Sequence, residues 1–377
     1  MIKQRGNRRR GAFLGVLVLL AAACVPAPPI TVTSVRSGLD IPWDIAFAPD
    51  NTLLYTERGT GLSAVVSGEA RLLWAPTDLF VALESGMMSL ALSPNFAQNR
   101  RVFVCFASTA SGPLDVRIAR LTLDATYTAV TARTDILTGA PINPEGELGR
   151  HSGCRIAFGP DGYLWVGTGD AAIGTAPQDP ASLGGKVLRI NANGGAAPGN
   201  MAPPFDPRIQ SYGHRNVQGL AFRADGAAFA MEHGPGCDDE LNLLVTGANY
   251  GWDPVPRTWA DPGYNEAVPM TDLERFPNAM RATWSSGCPT LAFSGATFVY
   301  GAGWKKWDGG IVIAALRGTR LRMVKPSANG RYITAISDTL TNYGRLRTVK
   351  VGPFGALYVT TSNGNGTDQI LAVLPKL

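Results

Sequence analysis

The sequence predicts an all-β protein folded as a six-bladed β-propeller. A hairpin motif recurs six times along the chain, and its copies lie about 45 to 75 residues apart. No long amphipathic stretch indicates a helix. The 377 residues include 44 Gly and 27 Pro, and only 17% are charged, as is typical of short strands joined by tight turns.

The repeated motif is an apolar strand, a turn of the Pro-Asp-Gly type, and a second strand with an aromatic residue near its centre. Asp-Gly between alternating apolar residues predicts a hairpin, because both turn residues tolerate positive φ. A two-sheet sandwich would not explain a sixfold repeat, whereas this spacing suits four-stranded blades. Residues 32–39 are expected to close the ring against residues 370–377. The copies span residues 44–58, 89–108, 155–170, 219–234, 290–318 and 347–364.

The first 23 residues predict an export signal. Five basic residues precede an apolar run at residues 11–20, which is too short to span a bilayer comfortably. Ala21, Ala22 and Ala23 then lead to Cys24 in a sequence similar to a bacterial lipobox, although Ala21 stands where Leu is usual. Simple cleavage near Ala23 without lipid is the alternative. Residues 24–30 then indicate a Pro-rich tether, and residues 31–377 the propeller. We expect an exported protein: a periplasmic or cell-envelope lipoprotein anchored at Cys24, or a secreted one.

The formal charge of +5 belongs to the signal, which holds five basic and no acidic residues. The remaining chain is neutral, so its charge offers no argument for nucleic-acid binding. Four cysteines follow Cys24, and export would allow them to oxidise in any of three pairings.

All three histidines lie in glycine-rich blocks that join a polar loop to an apolar strand. Loops on a rigid sheet typically carry catalytic groups, and in a propeller such loops meet at one mouth. We expect one shared polar site, with Arg215, Asp170 and the acidic run 238–240 beside the histidines. The blocks are residues 149–170 with His151, 211–219 with His214 and 231–242 with His233. This geometry could also bring together Glu84, His151, Arg215, His233, Thr290 and Arg345.

Two features predict the chemistry of this site. Asp170 follows the strand that pairs with the strand after His151, so the two side chains could touch, and the carboxylate would make the imidazole a better-oriented base. Four arginines would also form a cationic mouth suited to a polyanionic small molecule. They are Arg215, Arg317, Arg345 and Arg347. The carbonyls of Gly234 and Pro235 could bind a hard cation such as Ca²⁺; alternatively, the acidic run 238–240 binds metal directly or only solvates its loop.

Together, the blocks 151–170, 184–191, 211–222, 232–244 and 249–252 resemble the soluble pyrroloquinoline quinone (PQQ)-dependent sugar dehydrogenases. This is the glucose/sorbosone dehydrogenase family, and the chain is most similar to its aldose sugar dehydrogenase branch. The resemblance covers about residues 35 to 374 and implies a six-bladed propeller that oxidises the anomeric carbon of a sugar to a lactone. It implies PQQ and Ca²⁺ as cofactors, and a quinone or cytochrome as external electron acceptor.

The resemblance also implies roles for individual residues. His151 matches the general base and Asp170 the carboxylate that orients it. The carbonyls of Gly234 and Pro235 match the calcium ligands. The positions matching cofactor contacts are Glu84, Arg215, Asn216, Gln218, Thr290, Arg317, Arg345 and Arg347.

Three positions depart from the family pattern. Glu84 stands where the family has Gln, Arg317 where it has Lys, and Cys288 where an aromatic residue often covers the cofactor. Together with this resemblance, we predict two disulfides. Cys288 would pair with Cys237 and link two loops at the mouth, and Cys105 would pair with Cys154.

Two further functions compete with the dehydrogenase. A metal-dependent lactonase would need several carboxylates converging on one ion, and a non-catalytic propeller would bind a carbohydrate or a protein. Selection of the sugar is expected to depend on residues 171–182 and 252–284. In the second loop Trp259 or Trp284 could stack on a sugar ring, although packing is the favoured role.

Overall fold

The computed structural model describes residues 22–258, 260 and 263–376. Six sheets, each of four strands or more, form a ring, and the innermost strand of each sheet contacts the innermost strands of its two neighbours. These six inner strands surround one axis, which confirms the predicted six-bladed β-propeller. Of the predicted signal, residues 1–23, only Ala22 and Ala23 lie within the described residues.

The strands are numbered in chain order. β1 (Ala23–Cys24) and β2 (Ile30–Leu39) precede the first complete blade. Blade 1 comprises β3 (Pro42–Phe47), β4 (Leu53–Glu57), β5 (Gly61–Val66) and β6 (Glu69–Trp74). Blade 2 comprises β7 (Met87–Leu92), β8 (Arg101–Ser108), β9 (Asp115–Leu123) and β10 (Val130–Pro141), with the short helix α1 (Phe96–Asn99) after β7. Blade 3 comprises β11 (Gly153–Phe158), β12 (Leu164–Thr168), β13 (Lys186–Ile190) and β14 (Ile209–Tyr212).

The other three blades follow the same plan. Blade 4 comprises β15 (Val217–Phe222), β16 (Ala228–Glu232), β17 (Glu240–Leu243) and β18 (Trp284–Ser285). Blade 5 comprises β19 (Phe293–Val299), β20 (Gly310–Ala315), β21 (Arg320–Pro326) and β22 (Ile333–Thr339). Blade 6 comprises β23 (Leu346–Val351), β24 (Leu357–Thr361) and β25 (Asp368–Pro375). Two 3₁₀ turns, Ala302–Trp307 and Pro353–Gly355, lie within blades 5 and 6.

The ring is closed by the start of the chain. β2 pairs antiparallel with β25, so the outer strand of blade 6 comes from the opposite end of the sequence, as predicted. β1 adds a parallel fifth strand to blade 5 by pairing with β22. Between β1 and β2, the segment predicted as a Pro-rich tether packs against blade 5, where Trp307 Nε1 donates to the carbonyl of Pro26 at 3.0 Å.

Apolar side chains fill the spaces between neighbouring blades. One cluster joins blades 2 and 3, with Phe103, Ile118, Ile156 and Leu188 fully buried. Among the described residues, no helix is long and apolar enough to cross a membrane.

On the axis, a buried carboxylate ties four blades together. Asp44 on β3 accepts hydrogen bonds from Ser89 Oγ at 2.6 Å and Thr348 Oγ1 at 3.2 Å. It also forms ion pairs with Arg155 at 3.0 Å and Lys350 at 2.9 Å. Burial alone would raise the pKa of Asp44, but these two cations outweigh it and leave the pKa below its ordinary value. The inner strands are therefore joined by charge as well as by apolar packing.

Both predicted disulfides are present. Cys105–Cys154 joins β8 of blade 2 to β11 of blade 3, and Cys237–Cys288 joins the loop after β16 to the loop before β19. Cys24 is a free, exposed thiol.

Removing the bond between blades 2 and 3 should destabilise the ring. The bond encloses a loop of 49 residues, so Cys105→Ala with Cys154→Ala should cost about 2–4 kcal/mol by releasing the unfolded chain, and should lower the calorimetric Tm by roughly 5 °C. Cys24→Ala is the matched control and should leave Tm unchanged. Equal Tm values for the double variant and this control would contradict the expectation.

Candidate active site

A cavity of about 370 Å³ opens where the chain enters the inner strands of blades 2, 4, 5 and 6. Most of the residues proposed from the sequence for the cofactor line it. The lining residues are Glu84, Gln218, His233, Pro235, Thr290, Ala292, Leu316, Arg317, Arg345 and Arg347. Because the inner strands converge on the axis, residues separated by more than 260 positions face one another here.

The floor and one wall of the cavity carry positive charge that is not neutralised. Within the part of the chain that the structure describes, Arg317, Arg345 and Arg347 form no ion pair with a carboxylate. Arg347 Nη1 donates to Gln218 Oε1 at 3.0 Å, and its Nε is buried without a partner. Burial lowers the pKa of Arg345, and lowers that of Arg347 to about 9. One buried guanidinium group, that of Arg347, and two exposed ones, those of Arg317 and Arg345, have no carboxylate partner among the described residues. Such a set fits an anionic ligand, which would supply the missing partners.

Glu84 is the one carboxylate that lines the cavity. It accepts hydrogen bonds from the His151 backbone N–H at 3.2 Å, from Asn216 Nδ2 at 2.9 Å and from Gln218 Nε2 at 3.2 Å. Burial alone would raise the pKa of Glu84, but the charge of His151 and these donors outweigh it and place the pKa below its usual range. Glu84 is therefore ionised at neutral pH and faces the same space as the arginines.

Beside Glu84, the structure places His151 and Asp170 in contact. His151 is only 4% exposed, and its Nδ1 lies 2.8 Å from Asp170 Oδ1. Asp170 Oδ2 accepts from Trp252 Nε1 at 2.7 Å and from the Tyr264 hydroxyl at 2.5 Å. Burial alone would raise the pKa of Asp170, but His151, Arg215 and Tyr264 lower it overall. A carboxylate on Nδ1 fixes the ring and leaves Nε2 as the free acceptor.

The backbone around this pair is unusually tight. His151 has φ of 50°, and Ala171 and Ala172, which follow Asp170, have φ of 55° and 54°. A Cβ on Gly169 would lie 1.8 Å from the carbonyl oxygen of His151, so only glycine fits there. Left-handed backbone at non-glycine residues is costly and concentrates at functional sites.

The free side of His151 faces two charged groups. Nε2 accepts a long hydrogen bond from Arg150 Nε at 3.4 Å and lies 3.8 Å from Glu266 Oε1. Glu266 forms ion pairs with Arg150, at 2.5 Å, and with Arg215. Arg215 thus lies beside the histidine and not among the residues that line the cavity, and Asn216 supports Glu84 from behind.

The expectation that all three histidines share one site is wrong for His214. Its side chain is fully buried, and Nδ1 lies 2.6 Å from Glu232 Oε1 while Nε2 lies 2.9 Å from Ser211 Oγ. Its ring also stacks on Tyr250. With both nitrogens occupied, His214 braces blade 4, whereas His151 and His233 lie at the mouth.

The carbonyl groups of the 233–236 turn lie at the mouth. Pro235 lines the cavity, and the carbonyl of Gly234 lies 2.6 Å from His233 Nδ1. Carbonyl oxygens suit Ca²⁺, and a carbonyl that accepts one hydrogen bond still has a second lone pair. The turn therefore fits a hard cation that takes its other ligands elsewhere.

The acidic run 238–240 does not form a metal site of its own. Asp239 is fully buried and accepts from Gly234 N and Thr290 Oγ1, so it holds the turn in place. Asp238 accepts from Ser285 at the surface. Burial and the neighbouring Glu232 raise the pKa of Glu240 to about 8. No group of three or more His, Cys, Asp or Glu side chains in the described residues could hold a metal ion, so the converging carboxylates that a lactonase needs are missing there.

Four residues at the site were not predicted as site residues. Arg150 adjoins His151, and the other three, Trp252, Tyr264 and Glu266, lie in the 252–284 loop. The sequence signals available were the length of this loop and the aromatic residue that ends the block 249–252. The suggested stacking residues differ: Trp284 packs on Phe293, with ring centroids 5.7 Å apart, and Trp259 lies outside the described residues.

Comparison with known proteins identifies the family of the chain. The sequence model for Glucose / Sorbosone dehydrogenase matches residues 39–372. Aldose sugar dehydrogenase YliI of Escherichia coli is 30% identical, over 98% of this chain and 99% of that protein. The PQQ-bound aldose sugar dehydrogenase of Streptomyces coelicolor is 31% identical, with a TM-score of 0.73 over 92% of this chain and 99% of its own. A glucose dehydrogenase-type oxidoreductase of Thermus thermophilus is 35% identical, with a TM-score of 0.77 over 92% and 100%. The chain belongs to the glucose/sorbosone dehydrogenase family.

Proposed function

We propose that this protein is a PQQ- and Ca²⁺-dependent dehydrogenase that oxidises the anomeric carbon of aldose sugars to lactones. The observation that carries the proposal is a cavity lined by three arginines that have no carboxylate partner in the described part of the chain. It lies next to a His–Asp pair in which Asp170 holds Nδ1 and leaves Nε2 as the acceptor. The relative from Streptomyces coelicolor that binds PQQ is 31% identical over nearly its whole length. PQQ is an anionic quinone, and when bound it supplies the acceptor for the hydride that leaves the sugar.

In this proposal the arginines hold the cofactor. Arg345 and Arg347 would pair with its carboxylates, and Arg317 and Thr290 would contact it from blade 5. Gln218 keeps Arg347 in position through the 3.0 Å hydrogen bond. Arg215 and Asn216 would act from the edge, where they already contact Glu266 and Glu84.

His151 would be the general base. Its Nε2 accepts the proton of the anomeric hydroxyl as the carbon–hydrogen bond breaks, and Asp170 on Nδ1 stabilises the resulting imidazolium. Trp252 and Tyr264 donate to Asp170 and so hold its carboxylate in position against His151. The carbonyls of Gly234 and Pro235 would bind Ca²⁺, whose chemistry at this place is that of a Lewis acid.

We further propose that the chain is exported. The four cysteines of the domain form two disulfides, which fits an oxidising compartment. The proposed organisation remains a signal at residues 1–23, a tether at 24–30 and the catalytic propeller at 31–377, with Cys24 as a lipid anchor at a membrane. Electrons would pass to an external quinone or cytochrome.

Reconstitution tests the proposed function. The protein, freed of cofactor and then supplied with PQQ and Ca²⁺, should reduce a dye when an aldose is added, and should do so only with both additions. The reaction product should be the lactone, identified by NMR. Cofactor binding without sugar oxidation would instead support the non-catalytic propeller.

The His–Asp pair should control the chemical step. His151→Gln should lower kcat roughly 10²–10⁴-fold, because general-base catalysis contributes an acceleration of that order, while PQQ affinity measured by calorimetry stays near that of the wild type. Asp170→Asn should also lower kcat, since an amide no longer stabilises the imidazolium. Unchanged kcat in both variants would remove His151 as the base.

Glu84 should oppose the binding of the cofactor. At pH 7 its carboxylate is ionised, because the pKa lies below its usual range. Glu84→Gln should therefore strengthen PQQ binding, by roughly tenfold for one removed like charge near the site. In the wild type, affinity should rise as pH falls through the pKa of Glu84, and this rise should be absent in the variant.

The control for this experiment is Glu69→Gln, an exposed carboxylate on the outer strand of blade 1. Calorimetric titrations at several pH values compare the three proteins. Equal or weaker PQQ binding by Glu84→Gln would contradict the expected repulsion.

A further inference from the structure

We propose that Glu266 lines the sugar subsite and selects neutral aldoses over sugars that carry a carboxylate. This inference rests on the proposed function and names the class of substrate. It concerns a residue that lies in the 252–284 loop, outside every motif of the chain.

The position of Glu266 is fixed on three sides. Its two carboxylate oxygens contact Arg150, which precedes the histidine, and Arg215, at the entry to blade 4. Oε1 lies 3.8 Å from His151 Nε2, the nitrogen left free by Asp170. The Glu266 side chain is 30% exposed, so it borders open space on its remaining side. The carboxylate thus stands at the point where a substrate must approach the base.

The neighbouring residues hold this part of the loop against the His–Asp pair. The Tyr264 hydroxyl donates to Asp170 Oδ2 at 2.5 Å. The Arg150 guanidinium lies over the Tyr264 ring, with its central carbon 5.7 Å from the ring centroid. Asn265 N donates to the carbonyl of Pro254 at 2.8 Å. The placement of Glu266 is therefore coupled to the groups that orient His151.

A sugar presents hydroxyl groups on adjacent carbons. When one hydroxyl donates to His151 Nε2, its neighbour can donate to Glu266 Oε1, because the two acceptors lie 3.8 Å apart. A hydrogen bond to a carboxylate is stronger than one to a neutral acceptor. Arg150 Nε donates to Nε2 at 3.4 Å, and this N–H becomes a donor for a sugar oxygen once the hydroxyl occupies Nε2. The three groups together suit a neutral vicinal diol.

The same charges exclude an anionic sugar. Arg150 and Arg215 would attract a substrate carboxylate if they were free, but Glu266 already occupies both. Burial alone would raise the pKa of Glu266, yet Arg215 and Arg150 outweigh it and keep the pKa below its ordinary value, so the group stays charged. A sugar acid would place a second negative charge beside it, and such repulsion is an effective way to reject a ligand.

The test compares D-glucose with D-glucuronate. In Glu266→Gln loaded with PQQ and Ca²⁺, KM for D-glucose should rise roughly tenfold, as expected for the loss of a charged hydrogen bond. The ratio of kcat/KM for glucose over glucuronate should fall by about tenfold or more, because Arg215 loses its carboxylate partner and Arg150 keeps only the exposed Glu147, so that both can attract a substrate carboxylate. Glu266→Asp keeps the charge and should retain the rejection of glucuronate.

The matched control is Glu147→Gln. Glu147 also pairs with Arg150, at 3.1 Å, but its side chain is 66% exposed, against 30% for Glu266. This variant should behave as the wild type in both KM and substrate ratio. If Glu266→Gln matches Glu147→Gln in both quantities while the wild type oxidises glucose, the inference is wrong and the proposed function stands.

A measurement without turnover separates the two claims. Saturation-transfer difference NMR with D-glucose reports sugar binding to the cofactor-free protein. Weaker glucose signals for Glu266→Gln than for Glu147→Gln would support the subsite even if the wild type takes up no PQQ and the proposed function fails. Signals of equal strength for the two variants would overturn it.

Discussion

The buried charge cluster on the propeller axis is the interaction on which the rest of the structure depends. Asp44 contacts residues of blades 2, 3 and 6 from its place in blade 1. Arg155, one of its partners, lies over the Trp43 ring at 4.2 Å, and Arg347 approaches the same ring at 5.2 Å. The cluster that unites the inner strands therefore also supports the floor of the cavity. Removing one partner of such a buried set typically costs about 3–5 kcal/mol.

The arginines at the mouth fall into two groups with different electrostatics. Arg317, Arg345 and Arg347 have no carboxylate partner among the described residues and surround the cavity. Arg150 and Arg215, by contrast, are neutralised by two carboxylates: Glu266 pairs with both, and Glu147 pairs with Arg150. The first group fits an anion, and the second borders the free nitrogen of His151. One site thus offers a positively charged part for a cofactor and a balanced part for a neutral sugar, and Glu84 limits the excess charge between them.

The fold could be predicted from the sequence because its determinants are local and repeated. Each hairpin carries its own turn signal, and six copies imply six blades. The contact between His151 and Asp170 followed from hairpin geometry, and the cationic mouth from arginines near the ends of strands that meet there. His214 was misplaced, because the sequence does not reveal that Glu232 and Ser211 take both of its nitrogens. Glu266 had no signal either, since its position depends on contacts between a long loop and two other blades.

The disulfides illustrate a further limit. Composition allowed three pairings of the four cysteines, and the pairing chosen beside the family resemblance is the one present. Cys288 joins its own loop, which carries Thr290, to the loop that carries Pro235, through its bond to Cys237. This covalent link depends on Cys237 and Cys288 lying within reach of each other in the folded chain, which composition alone does not show.

The central claim is that the unpaired arginines hold PQQ. Calorimetric titration of PQQ into the cofactor-free protein, with and without Ca²⁺, tests it most directly when the wild type is compared with Arg347→Met. The account predicts saturable binding with one PQQ per chain, at least about tenfold weaker without Ca²⁺ and about tenfold or more weaker in the variant. Absence of binding at every Ca²⁺ concentration, or equal affinity in the variant, would contradict it.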